Sequence, residues 1–257
     1  RLSPNLLYNK VRGFEDVTSI KDSDLIVQKI RGKPDTEVKI TVYRPGINDY
    51  VNLQMVRRVI NLVYIESKII NDNIGYVQLK LFDEDIARDF ANHVNDLIMS
   101  GAKGLIIDLR NNPGGSYTQV VAMADMLVPK GLIVYTEDRS GNRQEEFSDT
   151  SELNMPMTVL INEYSASASE ILSAAIKDYN KGTLVGKTTF GKGLVQSVVP
   201  LEGGAGVKFT ISKYYTPSGT CIHGIGVTPD IEIENDEQYK YYSVEDIPEG
   251  EDKKLLR

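Results

Sequence analysis

Apolar positions in the middle of the chain follow the spacing of a strand in some segments and the spacing of a helix in others. Residues 75–81 alternate apolar and polar side chains as a strand does, and residues 105–109 form a short apolar run. Between these segments the apolar residues recur at helical spacing on one stripe, which consists of Ile86, Phe90, Val94, Leu97 and Ile98. A second helix is predicted over residues 118–127. This alternation of strands and helices predicts an α/β layer.

The region that follows adds further predicted strands. Residues 132–136 and 143–147 are predicted to pair as a hairpin across the turn 139–142. An apolar strand over residues 157–161 leads through a serine-rich turn into a helix that continues to Ile176. Beyond this helix we expect an antiparallel portion, because only turns separate the predicted strands 182–186, 194–200 and 207–213.

The beginning of the chain has its own pattern. A short helix is predicted around residues 22–30, and a turn follows at residues 31–34. The next segment places Val38, Ile40 and Val42 on one face of a strand.

Composition and charge exclude several classes of function. The 257 residues carry a net charge of −7 without a run of lysine or arginine, so nucleic-acid binding is not expected. The single cysteine, Cys221, excludes an internal disulfide framework, and no zinc-type Cys/His cluster appears in the sequence. The acidic residues 83–85 are typical of favourable charge at a helix N-terminus and not of a metal site. No apolar run reaches the roughly 18 residues of a membrane helix. Because the sequence does not begin with Met, a removed signal or anchor segment stays open.

The candidate chemistry lies in two nearby segments. The run 165–170 reads Ser-Ala-Ser-Ala-Ser-Glu, and the segment 189–196 reads Thr-Phe-Gly-Lys-Gly-Leu-Val-Gln. A serine beside a lysine is a known alternative to the Ser-His-Asp triad. In an extended segment Lys192, Leu194 and Gln196 share one face, so lysine and glutamine are expected to point together at one serine.

Peptide-bond chemistry sets two requirements on these residues. Lysine takes a proton from serine only when its amine is uncharged, which burial favours, and we expect Phe190 and Leu194 to form apolar walls around Lys192. The attacked carbonyl needs fixed N–H donors for its developing negative charge. Ala168 offers one donor if Ser167 attacks, and the glycine-containing loop 111–115 offers a second.

Each motif alone also has a structural interpretation. Ser167 and Glu170 have the spacing of a capping box, a lone lysine is most often solvated, and Asn-Pro-Gly-Gly is most often a turn. The three motifs in this order favour a catalytic site.

With these motifs the chain resembles the carboxyl-terminal processing proteases, also called tail-specific proteases. The resemblance spans about residues 74–233 and depends on four motifs, at residues 108–115, 165–170, 189–196 and 224–230. It implies Ser167 as nucleophile, Lys192 as base, Gln196 as the residue that orients the lysine, and the N–H groups of Gly115 and Ala168 as the oxyanion hole.

The resemblance also implies an architecture and a biological setting. It implies a mixed α/β core of the ClpP/crotonase-like kind, a location in the cell envelope or beyond it, and polypeptide tails as substrates. No cofactor is expected, and a regulatory protein partner and homo-oligomerisation stay open.

The chain departs from the family pattern at two places. Tyr164 stands where many relatives have glycine before the serine run. Residues 17–58 resemble only the second half of a PDZ domain, whose first half is not visible. We therefore predict three regions: a partial PDZ domain over residues 1–60, a protease core over 61–235 and an acidic tail over 236–257.

Three other functions stay open. The first is nucleotide binding, because residues 186–193 differ at one position from a P-loop. Gly193 stands where that motif needs Ser or Thr, and a strand is predicted where the motif needs a helix. His93 or His223 would serve a conventional Ser-His-Asp hydrolase. The third alternative is a scaffold, or a protease held inactive until a partner or substrate rearranges it.

Overall fold

The computed structural model describes residues 9–10, 23–59, 62–71, 73–149, 152–201 and 206–234. The chain divides into two compact units, Arg1–Leu62 and Val63–Arg257. The predicted acidic tail lies outside the described residues. The limits of the three predicted regions and the identity of the first as a PDZ domain remain predictions.

The described residues of the first unit form a three-stranded antiparallel sheet and one α-helix. Its elements are β1 (Asn9–Lys10), α1 (Ser23–Ile30), β2 (Glu37–Arg44) and β3 (Asp49–Val56), and β2 lies in the middle of the sheet. Val38 and Ile40 are buried, as the alternating pattern predicts. Arg57 joins α1 to β2, because its guanidinium donates hydrogen bonds to the carbonyls of Ile30 and Glu37.

The second unit alternates strands and helices. Its elements in chain order are β4 (Ile65–Ile70), β5 (Ile74–Leu79), α2 (Ile86–Met99), β6 (Gly104–Asp108), α3 (Tyr117–Leu127), β7 (Gly131–Asp138), β8 (Arg143–Ser148), β9 (Met157–Ile161), α4 (Ala168–Asp178), β10 (Gly182–Gly186), β11 (Leu194–Pro200), β12 (Gly206–Tyr215) and β13 (Ile231–Glu232). The mixed α/β class predicted from the sequence is confirmed. None of the helices that the structure describes is both long and apolar enough to span a membrane.

The strands of this unit form two sheets. The larger has the order β13-β10-β9-β6-β5-β4, in which only β4 runs antiparallel to its neighbour. The smaller has the order β11-β12-β7-β8 and is antiparallel throughout. The predicted hairpin of β7 and β8 is confirmed.

One strand assignment from the sequence was wrong. Residues 182–186 were expected to join β11 and β12 in an antiparallel portion, but β10 pairs parallel with β9 in the larger sheet. The cause is the connection through α4, because a strand that returns after a crossover helix lies parallel to the strand before the helix.

The core of the second unit lies against the central strands of the larger sheet. Val77, Ile107, Val159 and Leu184, one from each of four neighbouring parallel strands, are completely buried. Strands covered on both faces have near-continuous apolar sequences, as β6 has. Helix α4 contacts both β10 and β7, so it joins the two sheets.

Candidate active site

Three loops follow the carboxyl ends of neighbouring parallel strands and meet at one edge of the larger sheet. They follow β6, β9 and β10 and cover residues 109–116, 162–167 and 187–193. The first residues of two of these loops bond the end of β9: Leu109 donates to the Leu160 carbonyl at 2.9 Å, and Lys187 donates to the Ile161 carbonyl at 3.2 Å. The sheet topology therefore brings together the three segments that the sequence singled out.

The loop after β9 presents Ser167 at the start of α4. The loop is held by Ser165, whose buried hydroxyl donates to the Leu109 carbonyl at 2.8 Å. Ser167 itself is half-buried and has φ of 57° and ψ of −113°. A non-glycine residue with positive φ is uncommon, and such strain clusters at functional sites.

The loop after β6 is organised by Asn112. This side chain is fully buried, donates to the Leu79 carbonyl at 2.8 Å and accepts from the Gly114 N–H at 2.9 Å. The Asn112 carbonyl accepts from the Ala166 N–H and from the Ser169 hydroxyl, both at 3.0 Å. One asparagine therefore shapes the glycine loop and fixes it to the serine loop.

Gly114 and Gly115 bring the backbone close to its neighbours. A Cβ on Gly114, where φ is +99°, would lie 2.6 Å from the Ala166 carbonyl oxygen and 2.9 Å from the Ala168 nitrogen. A Cβ on Gly115 would collide with the backbone of Phe82. Both positions require glycine, for the positive φ and for lack of space.

Two N–H groups in these loops have no acceptor in the part of the chain that the structure describes. Among the described residues, neither Gly115 nor Ala168 donates its backbone N–H to another group. The two residues belong to loops that are in contact through Gly114, and both were predicted as oxyanion donors. Unpaired N–H groups held by a rigid backbone are what a developing oxyanion requires.

The loop after β10 carries Lys192, and here the structure differs from the expectation. The lysine side chain is exposed, Phe190 is 63% exposed, and Leu194 is only half-buried. The predicted apolar enclosure of the amine is therefore wrong for the described residues.

The predicted strand face that Lys192 shares with Gln196 is also wrong. Strand β11 begins at Leu194, after Lys192, and its register shifts between Val195 and Gln196. The glycines beside the lysine explain the difference. The Gly191 carbonyl accepts from the Gly224 N–H at 2.9 Å, and a Cβ on Gly193 would lie 2.5 Å from the His223 nitrogen. The segment thus packs through its backbone on another loop and does not pair as a strand. Gln196 is exposed on β11.

Sequence reasoning missed the role of one acidic residue. Glu170 was interpreted only as a helix-capping residue, and it does accept from the Ser167 N–H at 2.8 Å. The fully buried carboxylate also accepts from the Lys192 N–H at 2.8 Å. One feature of the sequence indicates that Glu170 is buried. The other residues in the first turns of α4 are small or apolar.

A second buried polar group supports the base of the glycine loop. The carboxylate of Asp108, at the end of β6, is fully buried and accepts from the Tyr76 hydroxyl at 2.6 Å. The Arg110 guanidinium donates to the same carboxylate from Nε and from one terminal nitrogen. Burial raises the pKa of the Tyr76 phenol well above its usual range, and the Asp108 charge raises it further. Local patterns do not predict this cluster, because Tyr76 lies 32 positions from Asp108 in the chain.

The alternative chemistries find less support at this edge of the sheet. His93 Nδ1 lies 2.6 Å from the Ser67 hydroxyl, and His223 is exposed; within the described part of the chain, neither bonds Ser167. The segment after Gly193 is strand β11 and not the helix that a P-loop needs. In the same described ranges no group of three or more His, Cys, Asp or Glu side chains could hold a metal ion.

Comparisons with known proteins agree with the motif resemblance. Residues 73–233 match the model of the family described as peptidase family S41. The chain is 37% identical over 228 residues to a carboxy-terminal-processing protease of Bartonella bacilliformis, covering 85% of this chain and 52% of that protein. It is 36% identical over 217 residues to a carboxyl-terminal-processing protease of Synechocystis, covering 82% of this chain and 51% of the relative.

A solved structure gives the same result. The structure of a photosystem II D1 C-terminal processing protease superposes with a TM-score of 0.64 at 31% identity, covering 89% of this chain and 62% of the other. The chain thus spans about half the length of the curated relatives that it matches. The family resemblance inferred from the motifs is confirmed: this chain belongs to peptidase family S41.

Proposed function

We propose that this chain is a serine endopeptidase that cleaves polypeptides near their carboxyl termini through an acyl-enzyme on Ser167. The observation that carries the proposal concerns the N–H groups of Gly115 and Ala168, which bond no acceptor among the described residues and lie in the loops beside a strained serine at a helix start. The names of the relatives, which are carboxyl-terminal processing proteases, support the substrate class.

In the proposed reaction, the Ser167 hydroxyl oxygen attacks the carbonyl carbon of the scissile peptide bond. The serine proton passes to the uncharged amine of Lys192, and Gln196 orients that amine. The N–H groups of Gly115 and Ala168 donate to the oxygen that becomes negative. Collapse of the tetrahedral intermediate breaks the C–N bond, and the protonated lysine returns a proton to the leaving amine. Water then attacks the acyl-enzyme by the same route and frees Ser167. No cofactor takes part.

The exposure of Lys192 favours a second form of the proposal. A lysine in water is protonated at neutral pH and is a poor base. A polypeptide that covers Phe190 and Lys192 would exclude water from the amine and favour its neutral form. We therefore propose that substrate, or a regulatory protein, completes the site of a protease that otherwise rests.

Partners and location follow from the same proposal. The substrates are the loosely folded tails of proteins in the cell envelope or outside it. Nucleic acid is not a partner, since the charge of −7 repels it.

Three variants test the proposed function. Hydrolysis of an unstructured peptide should disappear in Ser167→Ala and fall nearly to zero in Lys192→Ala. Lys187→Ala is the matched control, because this lysine lies in the same loop and pairs with Glu234 at 3.9 Å, and it should retain activity. A modest loss in Lys192→Ala would contradict the lysine mechanism and favour a histidine base. Labelling of Ser167 by a serine-reactive probe, with and without a bound peptide tail, tests the resting form.

A further inference from the structure

A buried carboxylate joins the two loops that carry the proposed catalytic pair. Glu170, in the first turn of α4, is fully buried. Its Oε2 accepts from the backbone N–H groups of Ser167 and Lys192, each at 2.8 Å. Its Oε1 accepts from the Gly191 N–H at 2.6 Å and from the Thr189 hydroxyl at 2.7 Å. One side chain thus bonds the residues on both sides of the proposed proton transfer.

Helix capping does not account for this arrangement. A capping box uses the glutamate to accept from the N-cap N–H, here that of Ser167, and needs no other donor. The three further donors of Glu170 all come from residues 189–192, about twenty positions along the chain. A buried carboxylate is costly unless hydrogen bonds or a cation compensate its charge. Among the described residues no lysine, arginine or histidine forms an ion pair with Glu170, so these donors supply the compensation.

The same connection reaches the fourth sequence motif. The Thr189 hydroxyl, which donates to Glu170, accepts from the Val227 N–H at 2.7 Å. The Thr189 N–H donates to the Val227 carbonyl at 3.1 Å, and Gly224 bonds Gly191 in the same region. The motif over residues 224–230 therefore also holds the lysine loop, through bonds separate from those of Glu170.

We propose that Glu170 is a positioning residue of the peptidase, which fixes the lysine loop relative to the serine loop. The proposal rests on the proposed function, because Ser167 and Lys192 are the reacting groups of that function. Glu170 acts through backbone N–H groups and does not contact the substrate. Its carboxylate form matters, because each oxygen receives two donors. In Glu170→Gln the amide nitrogen, itself a donor, would face two of them, and one pair of bonds would be lost.

Three variants test this role by kinetics. Peptide hydrolysis is measured for Glu170→Gln, Thr189→Val and Ser173→Ala at a temperature below the melting temperature of each. We expect kcat of Glu170→Gln to fall about 100-fold with KM within about three-fold, since a small misplacement of a catalytic group costs about this much rate. Thr189→Val, which removes one donor, should lose about ten-fold in kcat. Ser173→Ala is the control, because among the described residues the buried Ser173 hydroxyl bonds just the Ser169 carbonyl within α4, and the activity of this variant should stay unchanged.

Amide deuterium exchange gives a second measurement that needs no activity. In Glu170→Gln, exchange should accelerate at Ser167, Gly191 and Lys192, while the amides of β6 and β9 keep their protection. Wild-type kcat in Glu170→Gln would overturn the positioning role. So would a uniform loss of protection across β6 and β9, because Glu170 would then only stabilise the core.

The two proposals fail in different ways. If Ser167→Ala hydrolyses peptide as fast as the parent protein, the proposed function is wrong, whatever the exchange data show. If Ser167→Ala is inactive but Glu170→Gln is fully active, the function stands and the role of Glu170 is wrong.

Discussion

Gly114 lies directly against Ser167, so that a Cβ on the glycine would be 2.8 Å from the Cβ of the serine. No real pair of Cβ atoms approaches so closely, and the serine loop would have to move. The conformation of the glycine loop and the position of Ser167 therefore depend on each other.

This contact gives a prediction with a matched control inside the chain. Gly114 and Gly101 have nearly the same φ, +99° and +97°, but a Cβ on Gly101 would meet nothing within 4 Å. Gly101→Ala should cost about 1–2 kcal/mol of stability from backbone strain alone and leave activity intact. Gly114→Ala should cost more and should also abolish labelling of Ser167 by a serine-reactive probe. Thermal unfolding and probe labelling measure the two effects, and equal labelling of both variants would contradict the expectation.

Replacement of Ser167 should separate strain from chemistry. Its φ of 57° is costly for any residue except glycine, by about 1–3 kcal/mol. Ser167→Gly and Ser167→Ala should both lack hydrolysis, but the glycine variant should be more stable than the alanine variant by about 1 kcal/mol. Urea unfolding of the two variants tests this order. A more stable alanine variant would show that the serine backbone is not strained.

The stability of the protein should depend on the side-chain N–H group of Asn112 as well as on the whole side chain. In Asn112→Asp the oxygen that accepts from Gly114 remains, but the group that donates to the Leu79 carbonyl is lost. A carboxylate would then face a carbonyl oxygen in a fully buried site, which should cost at least as much as Asn112→Ala, about 1–3 kcal/mol or more. Urea unfolding compares the variants, and Asn111→Asp on the same loop is the exposed control. An Asn112→Asp protein as stable as the parent would contradict the assigned bonds.

The Tyr76 cluster predicts a loss of stability at alkaline pH. The pKa of Tyr76 is raised in the folded protein, mainly by burial, whereas an unfolded tyrosine ionises near pH 10. The stability that depends on the neutral phenol is therefore fully present below about pH 10 and is lost as the pH rises towards the folded pKa. Tyr76→Phe should be less stable at pH 8 by about 1–3 kcal/mol, because the Asp108 carboxylate loses a donor.

The measurement is urea unfolding at pH 8 and at pH 11. The parent protein should lose more stability between the two values than Tyr76→Phe does. Equal losses in both proteins would contradict the assignment of the alkaline effect to this phenol.

Local patterns predicted most elements of the core to within a few residues. Helix α2 was predicted from one apolar stripe, and β9 from a short apolar run. The pairing partner of β10 could not be predicted in this way. It depends on the crossover through α4 and not on the five residues of β10 itself.

The candidate site was predicted by motif, but its environment was not. Ser167, Gly115 and Ala168 lie at one edge of the sheet because parallel strands end there, which the strand order implies. The exposure of Lys192 was missed, because apolar neighbours in sequence do not enclose a side chain when the backbone turns away at glycine. The bonds of Glu170 were missed because three of its four donors lie in another loop, and no local pattern reports them.

The parallel strands place the three loops of the candidate site at the carboxyl end of the larger sheet, and the opposite end of this sheet has its own connections. The connection at residues 100–103 enters the amino end of β6, and Gly101 there has open space around it. Longer connections, affinity tags or whole fused modules grafted at this end are expected to leave the three loops of the proposed catalytic site undisturbed. The length of the connection around Gly101 can therefore change without a change in the geometry of the candidate site.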